Sequence, residues 1–584
     1  MKKQLRAPIF GILLLIGPVM ALALESAVLN QHPLESQMPW SYVLDDAGKG
    51  WFAYYGSEDN TLYVRAPQGS ETGLGVTDRQ RAQSGLAIAP AGQNLAVLWR
   101  DKLPNKTLYL LPALRSGEES AKPLEVSGEE SEALTRLRLA HRDGITYLLW
   151  LGEKGDKEKG ERYHLYFRSV ESDGKTLSPV ERVLPGAYPA WIVDKDLLPV
   201  FAHTLFESKL SVVMRIFDRA KKTFGTPIKI ADAPPISPFF QTFEAGGRWF
   251  VLWVGHYGDT QEQLLEGVYS EDKGRNWKRF SFEKLRGLDV SHLETTADAQ
   301  GHIVIAVSGA WHTRDPKAKD DVYLIRSTDN GATWSEPLQP RPAELQTFEA
   351  RDPSVAFGAK PGAAMLIWED WRNIRPNIHI QFSTDYGATW GKALSLDPSP
   401  ATRLGLDFTN RTAWAVGDRY QVIAKRYKND TFQQIDMVRY EFTPDELQQQ
   451  AADAAKQRDT ERFGEARLRE RVQTFWQAME AQDLSASYAF QDPFYRARAG
   501  YDVYKAARGT IKYEGHEILG ITRQGALAKV QVKFDASVPE VMFKGKPYSQ
   551  PRKSFEHSET WLFVDGDWFR EYYDQANDVR FTKY

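Results

Sequence analysis

The feature that most constrains this chain is an eight-residue string that occurs three times. The copies are Ser270-Glu-Asp272-Lys-Gly274-Arg-Asn-Trp277, Ser327-Thr-Asp329-Asn-Gly331-Ala-Thr-Trp334 and Ser383-Thr-Asp385-Tyr-Gly387-Ala-Thr-Trp390. They start 57 and 56 residues apart, and each follows a run rich in β-branched and aromatic residues. A fixed period of this length marks a supersecondary unit that buries its apolar face only by stacking on a neighbour. The residue types have a physical logic. Asp bonds the backbone of its own turn, Gly supplies a positive φ, and Trp packs the returning strand against the next unit.

A second periodic signal extends the repeat. Turns between hydrophobic runs fall at Gly48, Gly92, Gly144, Lys195, Gly246, Gly301, Gly362 and Gly417. Several of the runs after them end in Trp: Trp99, Trp150, Trp253 and Trp368. Degenerate copies of the string stand upstream, with Asp173, Gly174 and Leu177 in one and Asp218 and Phe224 in the other. Short strands at a period of about 50 read as propeller blades rather than solenoid helices. The fold expected is therefore mainly β: a β-propeller over 36–442 with eight modules counted, six or seven blades being the alternatives.

Antiparallel order then fixes which loops share a face. If the Gly turns join first to second strands and the Ser/Asp strings join third to fourth, the opposite face carries the second-to-third loops and the approaches to each first strand. Those segments hold Arg100, Asp101, Glu153, His203, His256, Tyr257, Asp259, Trp311, His312, Arg314, Glu369, Asp370, Trp371, Arg372, Arg426 and Tyr427. The approaches add His292, Glu294, Arg351, Asp352, Asn410 and Arg411. Functional groups concentrate on loops carried by a rigid scaffold. Arg100, His256, Trp311, Arg314, Glu369 and Trp371 are the candidate ligand-binding residues.

The two ends differ from this body. Residues 1–23 combine a basic start, a short apolar run and Ala21-Leu22-Ala23, the marks of a secretory signal peptide. The run is short for a membrane span, which needs about 20 apolar residues. A periplasmic or secreted protein with no membrane span after removal of the peptide is expected. After Phe442 the pattern turns helical: a linker over 443–464, then Leu468, Val472, Phe475, Trp476 and Met479 at helical spacing. β runs follow, with Asp565-Gly566 as a hairpin turn. Tyr488, Asp492, His516, Tyr572 and Tyr573 are candidate lining residues of a pocket there, with aromatic packing as the plainer reading.

Composition removes whole classes of chemistry. The 584 residues contain no cysteine, so disulfides, thiolate metal sites and cysteine nucleophiles are excluded. With 74 basic and 77 acidic side chains the net charge is −3, which argues against a nucleic-acid partner. The 11 histidines form no paired-ligand motif, so no metal and no cofactor is expected.

The three strings resemble the Asp-box (BNR) repeats of sialidases and their non-enzymatic relatives. That resemblance implies a propeller in which Ser270, Asp272, Gly274, Trp277, Ser327, Asp329, Gly331, Trp334, Ser383, Asp385, Gly387 and Trp390 are structural. It also implies a site built from a Tyr nucleophile, an Asp acid/base and three Arg that clamp a carboxylate. The nearest match is Ala350-Arg351-Asp352-Pro353, followed by Glu369-Asp370-Trp371-Arg372. It keeps Arg and Pro but places Asp352 where the family has Ile, and one module remains to supply the rest of the set. Residues 465–584 resemble an NTF2-like (SnoaL-like) α+β cone, on the strings opening at Phe475 and closing at Trp568. The resulting expectation is an exported protein that binds a glycan or protein ligand at the propeller mouth without a complete sialidase site, and that can dimerise through its C-terminal part. The alternative is an exo-α-sialidase or related glycoside hydrolase using Arg351, Asp370, Arg372, Arg411 and Tyr427.

Overall fold

The computed structural model describes residues 24–74, 85–100, 107–115, 122–127, 133–152, 163–407, 409–457, 460–543 and 545–572. The leader read at 1–23, together with Asp101, Glu153 and Tyr573, lies outside the described residues.

Eight antiparallel sheets succeed one another before residue 443, most with four strands in chain order, giving a mainly β fold of the propeller type. Each of the eight sequence turns joins the first strand of a sheet to its second. The first strands are Trp40–Leu44, Leu86–Ala91, Ala133–Arg142, Ala187–Trp191, Ile236–Ala245, Asp289–Ala297, Ala350–Phe357 and Ala413–Val416, and each packs beside the first strand of the next sheet. The eighth sheet returns to the first. Tyr42 Oη donates to Gln421 Oε1 at 3.1 Å, and Trp40, Phe52 and Tyr54 share a core with Ile423, Ile435 and Met437. Strand Glu25–Val28 adds itself to Gln434–Phe442, with Glu25 opposite Glu441, so one sheet holds both ends of the ring. Closure of this kind leaves no long free edge to pair with another chain.

The strings at Ser270 and Ser383 connect third to fourth strands, and the one at Ser327 follows the third strand of a three-stranded sheet and leads to a lone bridge between Leu338 and Leu324. In each, the Ser hydroxyl accepts the Gly N–H (2.8–2.9 Å) and donates to the Asp carboxylate (2.8–2.9 Å). The same carboxylate accepts the N–H of Asn276, Thr333 or Thr389. Gly274, Gly331 and Gly387 have φ of 86°, 75° and 80°, the left-handed region that the turn requires. Each Trp reaches back to the preceding sheet: Trp277 meets Phe201 edge-on, Trp334 stacks on Phe280, and Trp390 packs on the core containing Val304 and Leu324. Trp150, Trp253 and Trp368 are fully buried in their second strands.

Beyond the ring the chain forms helices α1 (Pro444–Gln457), α2 (Thr460–Phe463), α3 (Glu465–Glu480), α4 (Leu484–Ala489), α5 (Pro493–Arg496) and α6 (Tyr501–Arg508), then a four-stranded antiparallel sheet from Lys512–Gln524 to Asp567–Arg570. Helix α1 is anchored, its Leu447 fully buried in the core between the seventh and eighth sheets. Helix α3 buries Leu468, Val472, Phe475, Trp476 and Met479 against Val530, Val532, Trp561 and Trp568. The hairpin Leu527–Phe543/Lys546–Val564 runs unbroken through residues that carry no clean alternation, because register shifts near Val538 disturb the period of two.

This α+β unit is bolted to the loops of the seventh and eighth sheets. Ile374, fully buried, sits among Ala526, Leu562 and Val564, a contact worth about 1.5–3 kcal/mol by burial of one such side chain. Arg375 bridges Asp430 (2.9 Å) and Asp492 (2.5 Å), while Arg403 joins Asp430 (2.5 Å) to Asp565 (2.8 Å). Of the residues read as lining a C-terminal pocket, Asp492 is thus taken up by an ion bridge. Tyr488 donates to the Ala499 carbonyl at 2.8 Å, His516 pairs with Glu480 at 2.7 Å, and Tyr572 packs on Tyr495.

Candidate functional site

First strands start, and second strands end, at the same mouth of the ring. There the first strands of the third to seventh sheets each carry a register shift, next to Arg136, Tyr188, Ser237, Ser291 and Asp352. Bulges of this kind re-aim side chains. Three of them hold a non-glycine residue at positive φ: Arg136 at 61°, Tyr188 at 59° and Asp352 at 52°. Such backbone persists only where its surroundings over-determine it, and it clusters at working sites.

The densest polar cluster joins the seventh and eighth sheets. Arg351 Nε donates to Glu369 Oε1 at 2.8 Å, with Asp352 at 3.6 Å and Glu349 at 3.7 Å. Glu369, almost fully buried, also accepts from Trp371 Nε1 at 3.0 Å and the Leu406 N–H at 3.2 Å. Burial acts to lower the Arg351 pKa, but Glu369, Asp352 and Glu349 outweigh it and hold the guanidinium above its usual value. Tyr427 lies against the same carboxylate. A Cβ added at Gly405 would stand 2.6 Å from Tyr427 Oη and 2.9 Å from Glu369 Oε2, so only glycine fits between them. Burial first, and Glu369 second, push the phenol above its ordinary range, which keeps Tyr427 protonated.

Two further groups flank this cluster. Asp407 accepts from Lys425 Nζ at 2.7 Å, from Trp40 Nε1 at 3.1 Å and from Thr409, tying the eighth sheet to the first. Half-buried Glu294 accepts from Ser354 Oγ at 2.8 Å; burial raises its pKa to about 7 against the opposing pull of Arg411. A carboxyl poised there can give or take a proton at neutral pH. Beside it, His292 is buried, its Nδ1 4.0 Å from Asp352 Oδ1 and without a hydrogen bond, and burial lowers its pKa to about 4.

The remaining expected residues fall elsewhere. Glu369 and Asp370 are consecutive on one strand and so point to opposite faces. Asp370 is fully buried between the sixth and seventh sheets, bonded to Arg372 Nη2 at 2.6 Å and Trp368 Nε1 at 2.8 Å, with Arg341 Nε at 3.2 Å. Arg372 is therefore drawn away from Arg351, while Arg411 spends its Nε on the Ala413 carbonyl at 2.9 Å. Trp371 is buried and meets Phe432 edge-on, so its ring offers no surface to a ligand. Trp311 is half-buried, donates to Tyr323 Oη at 2.8 Å and carries Arg314 3.8 Å above its ring. His256 shares a 2.7 Å hydrogen bond with Ser237, and burial lowers the Arg100 pKa.

Asp407, Lys425, Arg136, Arg138 and Tyr188 also stand at the mouth, although none of them is among the residues expected from sequence. The available signal was Arg136-Leu137-Arg138, two cations two residues apart at the start of a first strand. Arg136 lies 4.4 Å over the Tyr188 ring. Arg138 is exposed to solvent; desolvation by the surrounding protein, and then the Arg136 cation, lower its pKa. Among the described residues no three His, Asp or Glu side chains gather as metal ligands would, and no helix is long and apolar enough to cross a membrane.

No protein-family model and no curated protein matches this chain. Among solved structures it is similar to an ulvan lyase of a polysaccharide lyase family, with 13% identity over 74% of this chain and 98% of that one and a TM-score of 0.39. A leech intramolecular trans-sialidase matches with 12% identity over 73% and 94% and a TM-score of 0.32. A Trypanosoma rangeli sialidase mutant displaying trans-sialidase activity matches with 13% identity over 77% and 84% and a TM-score of 0.28. Likenesses this distant carry no functional weight; the fold rests on the sheet order and the closure of the ring.

Proposed function

We propose that this is an exported eight-bladed propeller, carrying an NTF2-like cone at its C-terminus, that binds a glycan at the mouth of the ring. The observation that carries the reading is the Arg351–Glu369–Tyr427 cluster, set at Gly405 where the seventh and eighth blades meet. It sets the partly exposed Arg351 guanidinium and Tyr427 hydroxyl side by side, fixed by the buried Glu369, an arrangement that vicinal sugar hydroxyls can use. The arginines that a carboxylate clamp requires are each committed: Arg351 to Glu369, Arg372 to Asp370 and Arg411 to a backbone carbonyl. A second reading, a glycoside hydrolase, draws on Glu294, whose pKa of about 7 suits a general acid.

One experiment separates the two. The mature chain is applied to a glycan array and, in parallel, to aryl sialosides and other aryl glycosides. Glycan binding without release of the aryl group is the expected result. Hydrolysis of an aryl glycoside that is lost in Glu294→Gln overturns the binding-only reading, and an array with no bound glycan overturns both.

A further inference from the structure

Several arginines around the mouth are paired with a carboxylate: Arg351 with Glu369, Arg372 with Asp370, Arg375 and Arg403 with Asp430, and Arg426 with Asp436 at 3.0 Å. Arg411 bonds a backbone carbonyl instead, and the third blade holds two arginines of another kind. Among the described residues Arg136 and Arg138 form no ion pair with a carboxylate, and the charge that bears on Arg138 is the Arg136 guanidinium. Among the described residues, Arg138 Nη1 donates to the neighbouring Leu137 carbonyl at 3.2 Å. Two like charges held together and partly desolvated are costly unless an anion joins them. The backbone is nonetheless bent to hold them, with Arg136 and its partner Tyr188 both at positive φ on adjacent blades. A guanidinium held over a tyrosine ring still carries N–H donors in a fork, and that fork matches two oxygens of a planar or tetrahedral oxyanion.

We propose that Arg136, Arg138 and Tyr188 form an oxyanion subsite that takes a carboxylate or sulfate group of an acidic glycan. This rests on the reading of the mouth as a glycan site and adds the ligand's charge to it. The subsite lies three blades along the ring from Glu294 and four from Arg351, so the ligand it implies is an oligosaccharide spanning the mouth rather than a single terminal sugar.

The test has two arms. In the first, the mature protein is titrated with a polygalacturonate, a sulfated galactan and neutral dextran, alongside Arg136→Gln/Arg138→Gln. The wild type is expected to bind at least one of the acidic polymers about tenfold or more tighter than the double variant, with weaker salt dependence in the variant. Preference for one polymer distinguishes carboxylate from sulfate. Equal affinity of wild type and variant for the acidic polymers overturns the subsite and leaves the glycan reading standing. In the second arm, wild-type protein is modified with phenylglyoxal in the presence of inorganic sulfate or acetate, and the modified arginines are mapped by mass spectrometry. Protection of Arg136 and Arg138 by either anion supports the subsite even if no polymer binds, an outcome in which the glycan reading alone fails. Modification undiminished by both anions overturns the subsite.

Discussion

Replacing Arg375 by Met tests how the C-terminal unit is held to the ring. The Arg375 side chain is 3% exposed; its Nε lies 2.9 Å from Asp430 and its Nη2 lies 2.5 Å from Asp492. Asp430 keeps a second cation when Arg375 is lost, because Arg403 stands 2.5 Å away. Among the described residues Asp492 then keeps the Phe494 N–H at 3.3 Å alone, which it accepts as the cap of α5. The loss therefore falls on one buried carboxylate, for which removal of a partner costs about 3–5 kcal/mol. Burial already raises the Asp492 pKa against the pull of Arg375. Without that pull it rises further. A carboxyl raised in the folded state gives stability that is full below its unfolded value of about 3.9 and is lost as pH rises through the folded value. The deficit of the variant is thus smallest near pH ~4 and largest near pH ~7. Urea unfolding followed by tryptophan fluorescence, with the C-terminal transition fitted separately, gives the number. Adding Asp492→Asn, which retains the cap, is expected to return most of the loss at neutral pH. A deficit under about 1 kcal/mol at neutral pH, or one equal at both pH values, would refute the reasoning.

Other outcomes follow from single contacts. Ser383→Ala removes the hydroxyl that accepts the Gly387 N–H at 2.9 Å, and is expected to cost about 1–2 kcal/mol in denaturant unfolding. Gly405→Ala puts a methyl 2.6 Å from Tyr427 Oη; circular dichroism should stay native while glycan binding falls about tenfold or more. His292, held neutral with a pKa of about 4, gives stability that is present above its unfolded value of about 6.5 and lost as pH falls through about 4. Unfolding across that range should show the slope, and His292→Gln should flatten it.

What was legible in the sequence was local. The turns at Gly48 to Gly417 and the three Ser/Asp strings owe their conformation to side chains within a few residues, so their spacing survives as a readable period. Helix α3 was equally legible because its buried face repeats within one element. Closure was not. Strand Glu25–Val28 is short and polar and becomes a strand only by pairing some 400 residues away, as Glu25 does with Glu441. The site was legible as loops but not as partners. Glu369 and Asp370 both read as mouth residues, whereas strand alternation turns Asp370 away from Glu369 toward Arg341 and the sixth sheet. Trp371 read as a ligand-binding ring, whereas it is buried with its ring against Phe432. Arg136 and Arg138 gained meaning only from the bulge that aims them and from the absence of an ion pair to them among the described residues, neither of which has a local signature.

The central claim, that the Arg351–Glu369–Tyr427 cluster is where a glycan is held, is tested most directly by glycan-array binding of Tyr427→Phe and Glu369→Gln beside the wild type, with folding checked by near-ultraviolet circular dichroism. Native spectra are expected for all three proteins, with loss of the wild-type signal in both variants. Undiminished binding in both variants with native spectra would contradict the claim.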